Sequence, residues 1–107
     1  MAEVKKTFDA ELETFRAAHG KIAHVVHDGT LHAFRSPSQD EYEDYQARRP
    51  KEARPGVCYR ELSQQCCLTD LDKLKAFFKA KPAVALNIAN TLCEMAGADI
   101  ELTVGKD

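Results

Sequence analysis

HVVHDGTLHAFRSPSQDEYEDY, residues 24–45, contains a change of period that decides the fold. Up to Phe34 the chain is β-branched and apolar around Asp28-Gly29, a dipeptide that favours the tight turn of an antiparallel hairpin. After Arg35 the pattern becomes that of a helix start. Ser38 and Glu41 have the spacing of a capping box. Ser36 with Pro37 offers an N-cap followed by a first helical position, and Pro37 is placed to staple onto Tyr42. Acidic residues crowd the first turns and Arg48 and Arg49 the last, as the helix dipole favours. A strand pair that runs straight into a capped helix predicts an α+β domain.

The register of the hairpin stays open at this level. A two-residue turn pairs Val26 with Leu31 and puts Ile22, Val26, Leu31 and Ala33 on one face. A turn with a bulge at Gly29 pairs Val26 with Thr30 instead and sets His24 across from His32. Either way an isolated hairpin is marginal in water, so a helix or a third strand must cover one face.

Outward from this stretch the period is mostly helical. Val4, Phe8, Leu12 and Phe15 fall on one face of an amphipathic helix, and Gly20 fits just past its end. RRPKEARPG, with two prolines and a glycine, predicts an exposed linker. Beyond it Cys58, Leu62 and Cys66 (or Tyr59, Leu62 and Cys66) make an apolar stripe. Thr69 is the expected N-cap of the next helix, with Asp72 at its third position and Leu71, Leu74, Phe77 and Phe78 on its buried side. Pro82 disfavours helical geometry at Lys81 and forces a bend. Val84, Ile88, Leu92 and Met95 line a last helix, which Gly97 ends. Ile100, Leu102 and Val104 alternate with polar residues and predict an edge strand. The expected organisation is one mainly helical α+β domain over residues 1–107, with four to five helices. Its parts are an N-terminal helix (1–20), a hairpin (21–35), a helix (36–49), a linker (50–56), a helical region (57–98) and a terminal strand (99–107).

Composition narrows the function. The 107 residues are 44% hydrophobic and 30% charged, with net charge −2. Each half of the chain carries one more acidic than basic residue, nine Lys/Arg against ten Asp/Glu in residues 1–54 and six against seven in 55–107. A general nucleic-acid binder needs a dense positive field, which this balance does not supply. No apolar run approaches the ~20 residues that span a bilayer, and the charged N-terminus does not read as a signal peptide. The expectation is a protein of the cytoplasm, with reduced cysteines that pack as small apolar residues.

Each cluster with chemical potential has a plainer explanation. His24 and His27 point to opposite faces of a strand, so at most a pair with His32 converges, short of a zinc site. The cysteines lack CxxC spacing, and Cys66 and Cys67 diverge by about 100° on a helix. Asp40, Glu41, Glu43 and Asp44 sit where capping and the dipole want them. Arg48, Arg49, Lys51 and Arg54 form a basic cluster interrupted by Glu52 and with no aromatic platform for bases. The reading is therefore non-enzymatic, without metal or cofactor.

The order of parts adds one clue. Phe34-Arg35-Ser36-Pro37 follows the hairpin, Glu41-Tyr42 opens the next helix, and Lys81-Pro82-Ala83 precedes an alanine-rich helix ending at Gly97. This pattern, over roughly residues 12–104, resembles the tail assembly chaperones of long-tailed bacteriophages and prophages. The resemblance implies a protein that binds the long, aggregation-prone tape measure protein in the bacterial cytoplasm and keeps its apolar helices soluble while tail tube protein polymerises around it. It also implies partner contacts through an apolar groove and assembly as an oligomer. On that basis Phe77, Phe78, Ile88, Leu92 and Met95 are the expected groove residues, if their stripes are not simply core.

Overall fold

The Asp28-Gly29 turn takes the two-residue form. Asp28 has φ 50° and Gly29 φ 73°, the doubly positive geometry of a type I′ turn, whose twist matches the twist of paired strands. The computed structural model describes residues 8–98, so Val4 and the expected strand through Ile100, Leu102 and Val104 lie outside the described residues. Strands β1 (Ile22–His27) and β2 (Thr30–Arg35) pair antiparallel with Val26 opposite Leu31 and His27 opposite Thr30. The bulged alternative, with His24 facing His32, is not adopted.

Among the described residues five helices complete a compact α+β domain: α1 (Asp9–His19), α2 (Gln39–Arg48), α3 (Pro55–Cys66), α4 (Leu71–Ala80) and α5 (Val84–Cys93). A 3₁₀ turn, Arg49–Lys51, follows α2, and a kinked turn with Gly97 at φ 114° follows α5. The linker is shorter than expected because Pro55 serves as the first residue of α3, a position where its missing N–H costs nothing. The N-cap of α4 is Asp70, whose Oδ1 accepts from the N–H groups of Asp72 and Lys73. Thr69, the expected cap, works elsewhere. Its Oγ1 accepts from the N–H of Ala33 at 3.3 Å, while Leu68 N–H donates to the Ala33 carbonyl at 2.8 Å. Together with the Phe34–Cys67 bridge, this segment closes the outer edge of β2.

The main core lies between the hairpin's Phe34 face and α2–α5, with Phe34, Tyr45, Leu62, Leu74, Phe78 and Leu92 all buried. Where α3 and α5 pack, Ser63, Cys66, Ala85 and Ala89 are almost wholly buried, so little side-chain bulk separates the two helices. Leu12, Leu31 and Ala33 are also buried but fall outside that cluster, and α1 packs against β1. Leu71, expected on the buried side of α4, is 40% exposed, because it stands in the helix's first turn, beyond the reach of the core.

One polar joint ties these parts together. Arg35 donates from Nη1 and Nη2 to the two carboxylate oxygens of Glu41 at 2.7 and 2.8 Å, and from Nη2 to the Gln65 carbonyl of α3 at 2.8 Å. Glu41 meanwhile accepts from Ser38 N–H, and Ser38 Oγ from Glu41 N–H, completing the capping box. Arg35 beside it, helped by the Ser38 contacts, holds the Glu41 carboxyl down at about 2. Replacing Arg35 by Ala is expected to destabilise the domain by about 2 kcal/mol in urea unfolding, since it strands a half-buried carboxylate. Lys at this site should restore only part of that, because it lacks the fork. A folded pKa below the ordinary one means the joint's contribution is complete above about pH 4.5 and is lost as pH falls toward about 2. In Glu41→Gln this acid-dependent part of the stability profile should be missing.

Candidate partner-binding groove

Closing β2's outer edge leaves β1's. In an antiparallel pair, alternate residues turn their N–H and C=O groups away from the partner strand. Ala33 makes its bonds outward, to Leu68 and Thr69, so its opposite number His24 also points outward, as do Ile22 and Val26 in the same phase. None of these three outward backbone positions has a hydrogen-bond partner among the described residues.

A groove of about 240 Å³ runs along this edge. One wall is Ala23, His24 and Val25, three consecutive residues that alternate faces and therefore share only the strand edge; Phe34 contributes from β2. The other wall is Val84, Asn87, Ile88 and Thr91, the i, i+3, i+4, i+7 stripe of one helix face. Asn87 and Thr91 are exposed, while Val84 and Val25 are half-buried against the core. A strand edge left unpaired by the described residues, beside a half-apolar helix, offers main-chain hydrogen bonds on one side and side-chain contacts on the other. An extended polypeptide segment matches both.

The residues expected to make a groove are placed differently. Phe77, Phe78, Ile88 and Leu92 are buried in the chain's own core, and Met95 is packed against it. A chain of this size has few apolar side chains to spare, and these hold its helices together. Only the margins of Phe77, Phe78 and Ile88 reach surface grooves. Among the described residues the large apolar side chains left exposed are Val26, Leu71 and Leu86. Of the α5 stripe the sequence showed Val84 and Ile88 as part of an apolar face, whereas Asn87 and Thr91 were missed because they are polar.

The other candidates resolve as follows. His27 and His32 share a face of the hairpin, and both rings stack on Phe77, with centroids 4.4 and 4.9 Å away; His24 is exposed. Among the described residues no three His, Cys, Asp or Glu side chains are grouped to hold one metal ion. Cys58 and Cys66 are buried, Cys67 and Cys93 half-buried, and all four are free. Burial pushes the Cys66 thiol up to about 12, so at neutral pH it is protonated and a poor nucleophile. In the basic cluster, Arg48 pairs with Glu61 at 2.6 Å and Asp44 at 3.5 Å, and Arg49 lies over the Tyr45 ring at 5.7 Å. Those two cations are engaged within the chain. No described helix is long and apolar enough to cross a membrane.

No family model and no curated protein matches this chain. Its structure is similar to that of an uncharacterised protein, rbstp2171, from Bacillus stearothermophilus, with a TM-score of 0.68 and 15% sequence identity over 88% of this chain and 99% of that one. At that identity the likeness concerns the fold alone.

The histidine pair generates a pH dependence. His32 is 2% exposed and its Nδ1 has no hydrogen-bond partner among the described residues. Burial above all, with His27 and Lys73 nearby, lowers its pKa. The fold therefore favours the neutral ring. Its contribution is complete above the unfolded value of about 6.5 and is lost as pH falls below it. Thermal melts between pH 7 and 5 should show a loss of stability that is smaller in His32→Phe, which keeps a ring against Phe77 but nothing to protonate.

Proposed function

We propose that this chain is a non-enzymatic assembly chaperone that holds a segment of another polypeptide in the groove between β1 and α5. In line with the resemblance carried by Phe34-Arg35-Ser36-Pro37 and Glu41-Tyr42, the proposed client is a tape measure protein, kept soluble while a tail tube forms around it. The observation that supports this reading is the edge of β1, which no described residue pairs, beside the Val84–Thr91 stripe.

The physical task fits such a site. Backbone pairing with a strand edge is indifferent to the client's sequence, and a half-apolar wall shields alternate side chains from water. Strand addition replaces the helix-in-groove contact expected from the apolar stripes, since those stripes are occupied by the chain's own packing. The motifs behind the resemblance have structural work in this fold. Phe34 is in the core, Pro37 is buried, and Arg35 and Glu41 form the joint between hairpin and helices.

Co-expression with a tape measure protein tests the proposal. The wild-type chain should move the client into the soluble fraction and co-purify with it. His24→Pro removes an outward N–H without touching the β1–β2 ladder, a position where edge strands tolerate proline. Asn87→Arg/Thr91→Arg fills the helical wall with charge. Each variant should keep a near wild-type melting temperature and weaken client retention at least tenfold, about 1.4 kcal/mol. Retention unchanged in both variants, or a client that stays insoluble with the wild type, would overturn the proposal.

A further inference from the structure

A second groove has a different chemistry. Between α3 and α4 a depression of about 330 Å³ is lined by Arg60, Gln64, Lys75, Phe78, Lys79 and Pro82. Arg60 and Gln64 are one helical turn apart on α3, and Lys75 and Lys79 one turn apart on α4. The three cations are exposed, no acidic residue lines the groove, and none of the three has an ion-pair partner among the described residues. In a chain of net charge −2 this is a local reversal of sign. Unlike Arg48, whose charge Glu61 and Asp44 answer within the chain, these charges are unanswered.

The complementary surface exists on the same molecule. Helix α2 exposes Asp40 and Glu43, one turn apart on its outer side, with Asp44 adjoining. Among the described residues Glu43 accepts only an exposed amide hydrogen bond from Gln39, and Asp40 has no ion-pair partner. Charges spaced by three or four residues on one helix present them about 5–6 Å apart, and the same spacing separates Lys75 from Lys79. We propose that the α3–α4 groove is an interface between copies of this chain, occupied by the acidic outer side of α2 from a second copy. Asp40 and Glu43 of that copy lie between Arg60 on one rim and Lys75 and Lys79 on the other, over the apolar floor of Phe78 and Pro82. Each copy uses two different surfaces, so the contact is head-to-tail and propagates into a ring or a chain. An interface built on exposed charges is screened at high ionic strength. This inference is independent of the β1–α5 groove.

Sedimentation velocity at about 0.05 M and about 0.5 M salt tests it. The wild-type protein should sediment faster than a monomer at low salt and as a monomer at high salt. Lys75→Glu/Lys79→Glu and Asp40→Lys/Glu43→Lys, each retaining the wild-type circular dichroism, should be monomeric at both. An equimolar mixture of the two variants should associate again at low salt, since the acidic groove of one then faces the basic α2 of the other. A wild type that is monomeric at both salts, or variants that associate as the wild type does, would overturn the proposal, and so would a mixture that stays monomeric. Retention of a duplex oligonucleotide that is lost in Lys75→Glu/Lys79→Glu, without self-association of the wild type, would assign the groove to a polyanion instead.

Discussion

The fork between Arg35 and Glu41 is the interaction on which the arrangement of parts depends. Arg35 ends β2, Glu41 lies in the first turn of α2, and the same guanidinium reaches the Gln65 carbonyl near the end of α3. Ser36 adds a hydroxyl donated to the Met95 carbonyl beyond α5. A segment of seven residues thus sets the direction of the chain as it leaves the hairpin and fixes it against two later helices. Two short hydrogen bonds from a planar donor are directional in a way that apolar burial is not. The core beneath supplies cohesion; this joint supplies orientation.

From that orientation follows the asymmetry of the sheet. Two strands have two outer edges, and an open edge is an invitation to pair. The chain closes one with Cys67, Leu68 and Thr69, between α3 and α4, where Arg35's hold on α3 brings that segment alongside β2. The other edge faces α5 across a groove. Its exposed Val26 and the polar half of the α5 stripe make a surface that is neither core nor ordinary solvated exterior. On the same hairpin, β1 carries backbone groups that no described residue pairs, while His27 and His32 stack on Phe77.

Local features were legible without coordinates because their causes lie within a few residues. The Asp28-Gly29 turn needs positive φ at both positions, and the Ser38–Glu41 box closes within one helical turn. Pro82 breaks the helix at Lys81 for an equally local steric reason, and Lys81 indeed has ψ 76°. Thr69 defeated the same reasoning. Its hydroxyl suits a cap, yet a distant strand claimed it, and Asp70 took over the cap. Period identified Phe77, Phe78, Ile88 and Leu92 as apolar faces but not what covers them. That depends on the neighbours the fold supplies, and here they are the chain's own helices.

By itself, then, the sequence determined the element types, the turn chemistry, the capping of α2 and the α+β class, since each rests on spacing and on contacts made within a turn or two. Only the tertiary structure decided the hairpin register, the partner of Arg35 on α3, the closing of one sheet edge and the lack of any described partner on the other. It alone also gathered Arg60, Lys75 and Lys79 around one groove. Apart from the hairpin register, which the turn at Asp28-Gly29 sets between two local alternatives, these relations join residues far apart in the chain, and no local pattern encodes the distance between surfaces that meet only when the core has formed.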